Sequence, residues 1–415
     1  MKKILFILII SLALFAKESK QSRLAAYEKF VKVVNMIEAY YVDELNTTTI
    51  INKALKGLLP ELDAHSSYLD KKAYKELKIQ TNGEFGGLGI VVGMKNGVLT
   101  VISPIDDTPA AKAGLKAGDV ILKINDKATL DMSLDEAVNL MRGKPGTKIT
   151  LTIVRKGQKP FKVTITRAII KIKSVKEKNI KDYPQIAYIR ISSFDKNVVS
   201  SLKKILPKLK KEGKKGIIID LRNNPGGLLN QAVGVLDLFI DKGTLVSQKG
   251  RIPSENYTYY AHKSGTYKDI PIVILVNGGS ASASEIVSGS MQDHKRAIVV
   301  GESTFGKGSV QAILPVTKNE ALRLTVARYY LPSGRTIQAK GVKPDVIVHP
   351  GKIKLENEGI LIKEKDLKNH LKAELNQIEH KKTNNAKNQL DTKNDLQLKI
   401  GADILKALII QKENK

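Results

Sequence analysis

The 415-residue sequence predicts an α/β (α+β multidomain) fold, because three hydrophobic patterns follow one another along the chain. Apolar residues at helical spacing dominate residues 23–80, and short alternating β runs fill residues 83–168. From 174 to 350 continuous Ile/Val strands alternate with helical stretches, and a lysine-rich region follows over 351–415. We therefore predict a helical N-terminal region, an inserted β-barrel-like domain, an α/β core and a helical C-terminal region.

The first residues, MKKILFILIISLALFA, have the composition of a secretory signal: two lysines, an apolar run over Ile4–Ala16 and then the polar AKESKQSR. The apolar run is short for a membrane span. Cleavage after Ala16 predicts a signal peptide over 1–16, but Leu14 is larger than the usual residue three positions before a cut. An exported protein of the periplasm or cell envelope is expected, with an uncleaved inner-membrane anchor as the alternative.

Two amphipathic helices are expected in the N-terminal helical region, the first over Leu24–Tyr41 and the second over Ile50–Leu59. The apolar positions of the first helix are Tyr27, Phe30, Val31, Val34, Ile37 and Tyr41. We expect these side chains to belong to the core, with a subunit interface as the alternative.

Composition excludes several kinds of site. The chain has no cysteine, so a disulfide, a thiolate zinc site and a cysteine nucleophile are impossible, and its six histidines lack metal-ligand spacing, so we expect no metal and no cofactor. The net charge of +28 is spread over lysines interleaved with acidic residues, which is typical of a solvated surface. We therefore expect no nucleic-acid partner, while peripheral contact with an anionic membrane surface fits the charge.

The stretch FGGLGIVVG places glycines directly before a strand of the predicted β domain. Successive backbone N–H groups there can form a nest for a carboxylate, and the strand edge can accept an extended peptide. Together with the following SPIDDTPAAKAGLKAGDVILKINDK, the segment resembles a PDZ domain over 83–168, with Gly87-Leu88-Gly89-Ile90 as the loop that binds a substrate C-terminus.

The α/β core contains the stretches KGIIIDLRNNPGG, IPIVILVNGG and AIVVGESTFGKGSVQ, so we expect strands covered on both faces and catalytic loops at strand ends. After PIVILV the chain turns through Asn277–Gly279 and enters a helix near Ser282. A serine at a helix N-terminus suits a nucleophile whose product is an oxyanion. Taken alone, the pattern equally allows one serine to be an N-cap and its neighbours to be small packing residues.

A nucleophilic serine needs a base, and His294 lies about three helical turns from Ser282, too far for a hydrogen bond within one helix. Lys307 is the better candidate, since it lies between two glycines just after an apolar strand, where desolvation can depress a lysine pKa. Gln311, four residues on, faces the same way along an extended strand and can orient the amine.

The motifs LRNNPGG, NGGSASASEIVSG, QDHKRA and VGESTFGKGSVQ, in this order behind a PDZ-like domain, resemble the carboxyl-terminal processing proteases, also called tail-specific proteases. The resemblance covers Leu24 to Pro350 and includes GLLPELDAHSSYLD, where Ala64 occupies a position that is often proline in the family. It implies a crotonase-like protease core over 174–350 and a serine–lysine dyad. Ser282 would be the nucleophile, Lys307 the general base, Gln311 the residue that positions the lysine, and Asp293 a supporting acidic residue.

The same resemblance implies an oxyanion hole formed by backbone N–H groups of Ala283 and of the Gly226-Gly227 turn, with either glycine as the donor. Ser280 and Ser284 are then cap or packing residues.

The function implied is an ATP-independent serine endopeptidase that binds the C-terminal tail of protein substrates through its PDZ domain and cleaves near it. Its substrates would be envelope proteins with small or apolar C-termini, for processing or degradation, and a resting state gated by the PDZ domain implies an activating adaptor. The sequence has no GxxxxGK[ST] nucleotide-binding loop. The alternatives are a non-catalytic envelope PDZ scaffold and an acyl-CoA enzyme on a related core.

The C-terminal helical region ends in LKIGADILKALIIQ, in which Ile404 and Leu408, and Leu405 and Ile409, repeat at helical spacing. We expect this stripe to pack on its own subunit, with formation of a homodimer as the alternative.

Overall fold

The computed structural model describes residues 20–95, 97–105, 107–263, 266–352 and 389–414. The predicted signal peptide and most of the region 351–415 lie outside the described residues. Within these ranges the α-helices are α1 (Lys20–Tyr40), α2 (Thr47–Leu58), α3 (Lys71–Asn82), α4 (Pro109–Lys112), α5 (Leu134–Met141), α6 (Val198–Lys211), α7 (Leu229–Asp237), α8 (Ala283–Asp293) and α9 (Leu396–Glu413).

The strands alternate with these helices and fall into two groups along the chain. The first ten are β1 (Ser67–Leu69), β2 (Glu84–Gly87), β3 (Ile90–Lys95), β4 (Val98–Pro104), β5 (Val120–Ile124), β6 (Lys127–Ala128), β7 (Lys148–Val154), β8 (Phe161–Thr166), β9 (Ala168–Lys171) and β10 (Val175–Ile180). The others are β11 (Ile186–Ile191), β12 (Gly216–Asp220), β13 (Thr244–Gly250), β14 (Tyr257–Tyr260), β15 (Ile272–Val276), β16 (Ile298–Gly301), β17 (Ser309–Pro315), β18 (Ala321–Tyr330), β19 (Val346–Ile347) and β20 (Gln389–Leu390). This mixture of helices with several sheets confirms the predicted α+β multidomain class.

The chain divides into two compact units. One holds the chain up to Tyr74 together with Gln311–Thr325, and the second holds Lys75–Val310 and the residues from Val326 onward. In the first unit α1 packs on α2, and β1 pairs antiparallel with the first residues of β18, from Ser67↔Arg323 to Leu69↔Ala321.

The two N-terminal helices form where they were predicted, but the expectation that the apolar positions of α1 belong to the core is wrong for most of them. Val34 is buried, whereas the following are exposed: Tyr27, Phe30, Val31, Ile37 and Tyr41. A helix that packs mainly against one neighbour, here α2, buries only a narrow stripe, and α1 is apolar around more of its circumference than that. In the part of the chain that the structure describes, α1 and the other helices are all too short or too polar to cross a bilayer.

The predicted β domain is a six-stranded antiparallel sheet in the order β3-β4-β5-β7-β8, with β6 added to β5, and it belongs to the second unit. A ribbon of β2 and β9 joins the two ends of the domain, since Glu84 pairs with Lys171 and Gly87 with Ala168. Alternate residues of β7, Ile149, Leu151 and Ile153, are buried in its core, as the period-2 pattern predicts. Strand β3 is the first in this strand order, so it lies at an edge of the sheet.

The α/β core is built on a seven-stranded sheet in the order β19-β16-β15-β12-β11-β10-β20, in which β11, β12, β15, β16 and β19 run parallel. Helices α6, α7 and α8 cover one face of the sheet, where Ile217 and Ile219 pack against them. Helix α9 covers the opposite face, where it packs against Ile218. Every residue of β12 and of β15 is buried, which confirms the predicted covering of both faces.

Helix α9 packs on its own subunit, as its stripe predicted. Leu405 and Ile409 are buried against the sheet, and Ile404 and Leu408 pack at the edge of the same cluster. The first turn of α9 also carries Asp395, whose side chain accepts from the backbone N–H of Leu398 and caps the helix. The last helix is thus an integral layer of the α/β core.

Candidate active site

The candidate site is built from three loops that follow the carboxyl ends of neighbouring parallel strands, β12, β15 and β16. The carboxyl ends of parallel strands meet at one edge of a sheet, so the three loops lie side by side. Reciprocal hydrogen bonds tie the first two loops together: Asn223 N–H donates to Asn277 Oδ1 at 2.8 Å, and Asn277 Nδ2 donates to Asn223 Oδ1 at 2.9 Å.

Ser282 lies at the turn from β15 into α8 and has a strained backbone, with φ 54° and ψ −111°. L-residues rarely adopt this conformation, and such strain is found mostly where a side chain must be presented to a substrate. A nucleophilic serine on a strained strand-to-helix turn is the arrangement that exposes a hydroxyl above a sheet in α/β hydrolases. The side chain of Ser282 is half-buried, at the helix N-terminus where the sequence placed it.

The two neighbouring serines differ from Ser282 because both are completely buried. The Ser280 hydroxyl donates to the Leu221 carbonyl at 2.8 Å, and the Ser284 hydroxyl donates to the Asn224 carbonyl at 2.9 Å. The first bond joins the loop after β15 to the loop after β12, and the second joins the first turn of α8 to the same loop.

Glu285, which sequence reasoning missed, connects the predicted nucleophile to the predicted base. Its fully buried carboxylate accepts from the backbone N–H of Ser282 at 2.7 Å through Oε2 and from the backbone N–H of Lys307 at 2.9 Å through the same oxygen. Oε1 accepts from the Thr304 hydroxyl at 2.6 Å and from the Gly306 N–H at 2.7 Å. A carboxylate with four donors holds both loops in one geometry. The local signal was the Ser-x-x-Glu spacing of a helix capping box.

The glycines around Lys307 are required by close packing. A Cβ on Gly308 would lie 2.6 Å from the Gln338 nitrogen, and Gly306 has φ +96°, a region that favours glycine. The Gly308 N–H donates to Gln338 Oε1 at 3.0 Å. Three successive backbone N–H groups, from Gly306 to Gly308, therefore donate to side-chain acceptors, the buried Glu285 and the half-buried Gln338. These bonds fix the backbone from which the half-buried Lys307 side chain extends.

The glycine turn of the predicted oxyanion hole lies directly against the nucleophile loop. A Cβ on Gly226 would lie 2.9 Å from the Ala283 nitrogen and 3.0 Å from Ser282 Cβ. The Gly226 N–H donates to Asn224 Oδ1 at 2.9 Å, whereas the N–H groups of Gly227 and Ala283 have no acceptor among the described residues. In this state Gly227 and Ala283 are therefore the predicted donors that remain available.

Gly226→Ala is expected to lower kcat at least about tenfold, because a Cβ would approach the Ala281 carbonyl to 2.7 Å at a φ of +99° and displace the Ser282 loop. Steady-state cleavage rates measure the loss. Gly278→Ala, in the turn after β15 where an added Cβ meets nothing within 4 Å, is the matched control and should stay within about twofold. Equal losses in the two variants would contradict this assignment.

His294 and Asp293 lie at the far end of α8, about 16 Å along the helix axis from Ser282. The His294 ring contacts the Thr244 carbonyl through Nε2 at 2.7 Å. Asp293 accepts from the Ser333 N–H at 3.0 Å and pairs with Arg335 at 2.9 Å. The contacts of Asp293 therefore fix the turn after β18.

An ion cluster lies beneath the loop that follows β12. Arg222 pairs with Asp220 at 2.6 Å and with Asp395 of α9 at 2.8 Å, and Tyr188 donates to Asp220 at 2.8 Å. Burial acts to raise the pKa of Asp395, but the Arg222 guanidinium outweighs it and holds that pKa below its usual value. The last helix is thus joined electrostatically to the Asn223–Gly227 turn.

The predicted carboxylate-binding loop lies at the start of the edge strand β3. Gly89 has φ +79°, and a Cβ there would meet Thr108 at 2.3 Å, so only glycine fits. Among the described residues, no group accepts a hydrogen bond from the N–H of Leu88 or of Gly89. Leu88 is buried in the domain core, and Ile90 packs beside it with α5 in contact with β3.

Gln311 lies on β17 and belongs to the first unit, in which its Nε2 donates to the Thr325 hydroxyl at 3.2 Å. No cluster of three or more His, Asp or Glu side chains with metal-binding geometry occurs in the described ranges.

Comparison with known proteins matches two family models to this chain. The peptidase family S41 model covers residues 185–348, and a PDZ-domain model covers residues 100–155. The chain is 44% identical over 372 residues to the carboxy-terminal-processing protease of Bartonella bacilliformis, an alignment that covers 88% of this chain and 85% of that protein.

A second relative is the carboxy-terminal processing protease CtpA of Bacillus subtilis, 34% identical over 337 residues, covering 80% of this chain and 71% of that protein. Among solved structures, the photosystem II D1 C-terminal processing protease aligns with a TM-score of 0.44 at 27% identity, over 77% of this chain and 92% of that one.

The matched models define the class of protein, a serine-type peptidase that carries a PDZ domain. The identity and coverage of its relatives show that the chain belongs to the family of carboxy-terminal processing proteases, which confirms the resemblance read from the motifs.

Proposed function

We propose that the chain is an ATP-independent serine endopeptidase that binds the C-terminal tail of a protein substrate through its PDZ domain and cleaves near that tail with a Ser282–Lys307 dyad. The observation that carries the proposal is the buried Glu285 carboxylate, which binds the backbone N–H of both residues. A single acceptor shared by nucleophile loop and base loop is expected where the two side chains must act together.

In the proposed reaction, the neutral Lys307 amine removes the proton from Ser282 Oγ as that oxygen attacks the scissile carbonyl. The tetrahedral oxyanion is stabilised by backbone donors, Ala283 with the Gly226-Gly227 turn. The lysine ammonium then gives its proton to the leaving amine, which leaves an acyl-enzyme on Ser282. Water activated by the same lysine hydrolyses this ester and releases the second product. Gln311 orients the amine, and Asp293 supports the site from the end of α8.

Tail binding is supported by the geometry of the β3 edge. Backbone N–H groups of Leu88 and Gly89 are available for a terminal carboxylate, and the open edge of β3 can pair with an extended peptide. The apolar surroundings of Ile90 and Val92 favour tails that end in small or apolar residues. The signal-like sequence over 1–16 supports a location in the cell envelope, with envelope proteins as the substrates. An activating adaptor and a homodimer belong to the same proposal.

A non-catalytic PDZ scaffold would use the same β3 edge. It would have no requirement for a strained Ser282 or for a buried acceptor shared with Lys307, and these two observations favour the peptidase.

The test is cleavage of an unfolded reporter protein with an apolar C-terminus by the full chain without ATP. The free-carboxylate reporter is expected to be cut about tenfold faster at sub-saturating concentration than the same reporter with an amidated C-terminus, because the nest binds a carboxylate. A serine-directed fluorophosphonate should label the Ser282 peptide, as read by mass spectrometry. A requirement for ATP would refute the ATP-independent reaction. Equal cleavage of the amidated and free reporters would refute recognition of the tail carboxylate, and an unlabelled Ser282 peptide would refute Ser282 as the nucleophile.

A further inference from the structure

We propose that Asp63 and Thr325 are positioning residues that fix the orientation of the Gln311 side-chain amide. The inference rests on the proposed function, in which Gln311 orients the Lys307 amine, and it deepens that function by naming the residues that orient Gln311 within the first unit. Asp63, Thr325 and Gln311 all belong to the first unit.

Asp63 organises the turn before β1. Its Oδ1 accepts from the backbone N–H of His65 at 2.8 Å and of Ser66 at 3.0 Å, and its Oδ2 accepts from the Ser66 hydroxyl at 2.6 Å. Burial acts to raise the pKa of Asp63, but these hydrogen bonds outweigh it and the pKa lies below its usual value. The carboxylate is therefore ionised and can only accept hydrogen bonds.

The ladder between β1 and β18 brings Thr325 to this turn, although the two residues are 262 positions apart in sequence. The Thr325 hydroxyl lies 3.1 Å from Asp63 Oδ1, and the Thr325 N–H donates to the Ser66 hydroxyl at 3.1 Å. A hydroxyl has one proton, and an ionised carboxylate must receive it. The Thr325 oxygen is thus left as an acceptor.

This direction of hydrogen bonding determines which end of the Gln311 amide faces Thr325. Only the Nε2 group can donate to the Thr325 oxygen, at 3.2 Å, so the carbonyl oxygen Oε1 is turned to the other side of the amide. A carbonyl oxygen is the end of glutamine that can accept from a lysine amine or ammonium. Asp63 therefore acts on the amide through Thr325 without touching the reacting atoms.

The contacts also exceed what a turn needs for its own stability. The two backbone N–H groups and the Ser66 hydroxyl already satisfy a turn-forming aspartate. The additional bond from Thr325 joins β18 to this turn, and it sets the direction of a chain of donors that runs from Gln311 Nε2 through the Thr325 hydroxyl to Asp63.

The experiment measures kcat and KM of the full chain for the reporter in Thr325→Val, Thr325→Ser and Asp63→Asn. Thr325→Val is expected to lower kcat about tenfold with KM within about twofold, the loss expected when one orienting hydrogen bond is removed. Thr325→Ser should restore kcat to within about twofold. Asp63→Asn should lower kcat similarly, because an asparagine can donate to Thr325 and allow the glutamine amide to reverse.

A double-mutant cycle separates this role from a structural one. In a Gln311→Ala background, Thr325→Val should cause no further loss of kcat. Thr317→Val is the matched control, because Thr317 is exposed and its hydroxyl bonds to Glu320, and it should leave kcat unchanged. If Thr325→Val lowers kcat equally in the wild-type and Gln311→Ala backgrounds, or if Thr325→Ser is as impaired as Thr325→Val, the inference is overturned while the proposed function stands. Absence of cleavage by the wild-type chain would overturn the proposed function and this inference with it.

Discussion

Lys307→Ala is expected to lower kcat by at least about 10³-fold, because it removes the group that takes the serine proton and later returns it to the leaving amine. Lys307→Arg should be equally inactive, since a guanidinium keeps the positive charge but does not release its proton near neutral pH. Ser282→Ala should lose as much, and the double variant should be no worse than either single change, because nucleophile and base act as a unit.

The measurement is steady-state cleavage of the unfolded reporter, with circular dichroism to establish that each variant is folded. Lys340→Ala is the matched control, since Lys340 is exposed on a loop that approaches Gly306 and has no part in the proposed reaction. Activity retained in Lys307→Arg would mean that Lys307 contributes only charge and that the base lies elsewhere.

Local sequence patterns were sufficient to predict the strands, loops and helix starts that depend on residues close together along the chain. The continuous apolar runs of β12 and β15 predicted strands covered on both faces, and the glycines of FGGLG predicted a loop before β3, where Gly89 has φ +79°. Ser282 was placed correctly at the start of α8 because strand, glycine turn and helix are read in order along the chain.

The sequence was insufficient where a contact joins residues that are distant along the chain. Glu285 and Ser282 are three positions apart and carry a visible capping spacing, but the bonds from Glu285 to Gly306 and Lys307 cross 21 and 22 positions. Arg222 and Asp395, which form an ion pair, are 173 positions apart along the chain. The prediction that the apolar side chains of α1 lie in the core was wrong for a related reason. Periodicity identifies an apolar stripe on a helix, but it does not identify the element that packs against the stripe.

Glu285→Gln is expected to lower kcat about 10²-fold and the free energy of unfolding by about 2–4 kcal/mol. A glutamine offers one acceptor oxygen to four donors, and its NH₂ group would face backbone N–H groups. If that NH₂ replaces Oε2, the N–H groups of Ser282 and Lys307 both lose their acceptor. The two loops would then separate by a fraction of an ångström or more, which is enough to misalign a nucleophile and its base.

Urea unfolding and reporter cleavage measured on the same preparation distinguish the two effects. Glu302→Gln is the matched control, because Glu302 begins the same loop after β16 but is partly exposed and pairs only with His349 at 3.0 Å among the described residues. It should change the unfolding free energy by less than about 0.5 kcal/mol and leave kcat unchanged. A Glu285→Gln variant with normal kcat would show that the dyad geometry does not depend on the shared acceptor, because the loops would then be held by Asn223 and Asn277 and the serine contacts alone.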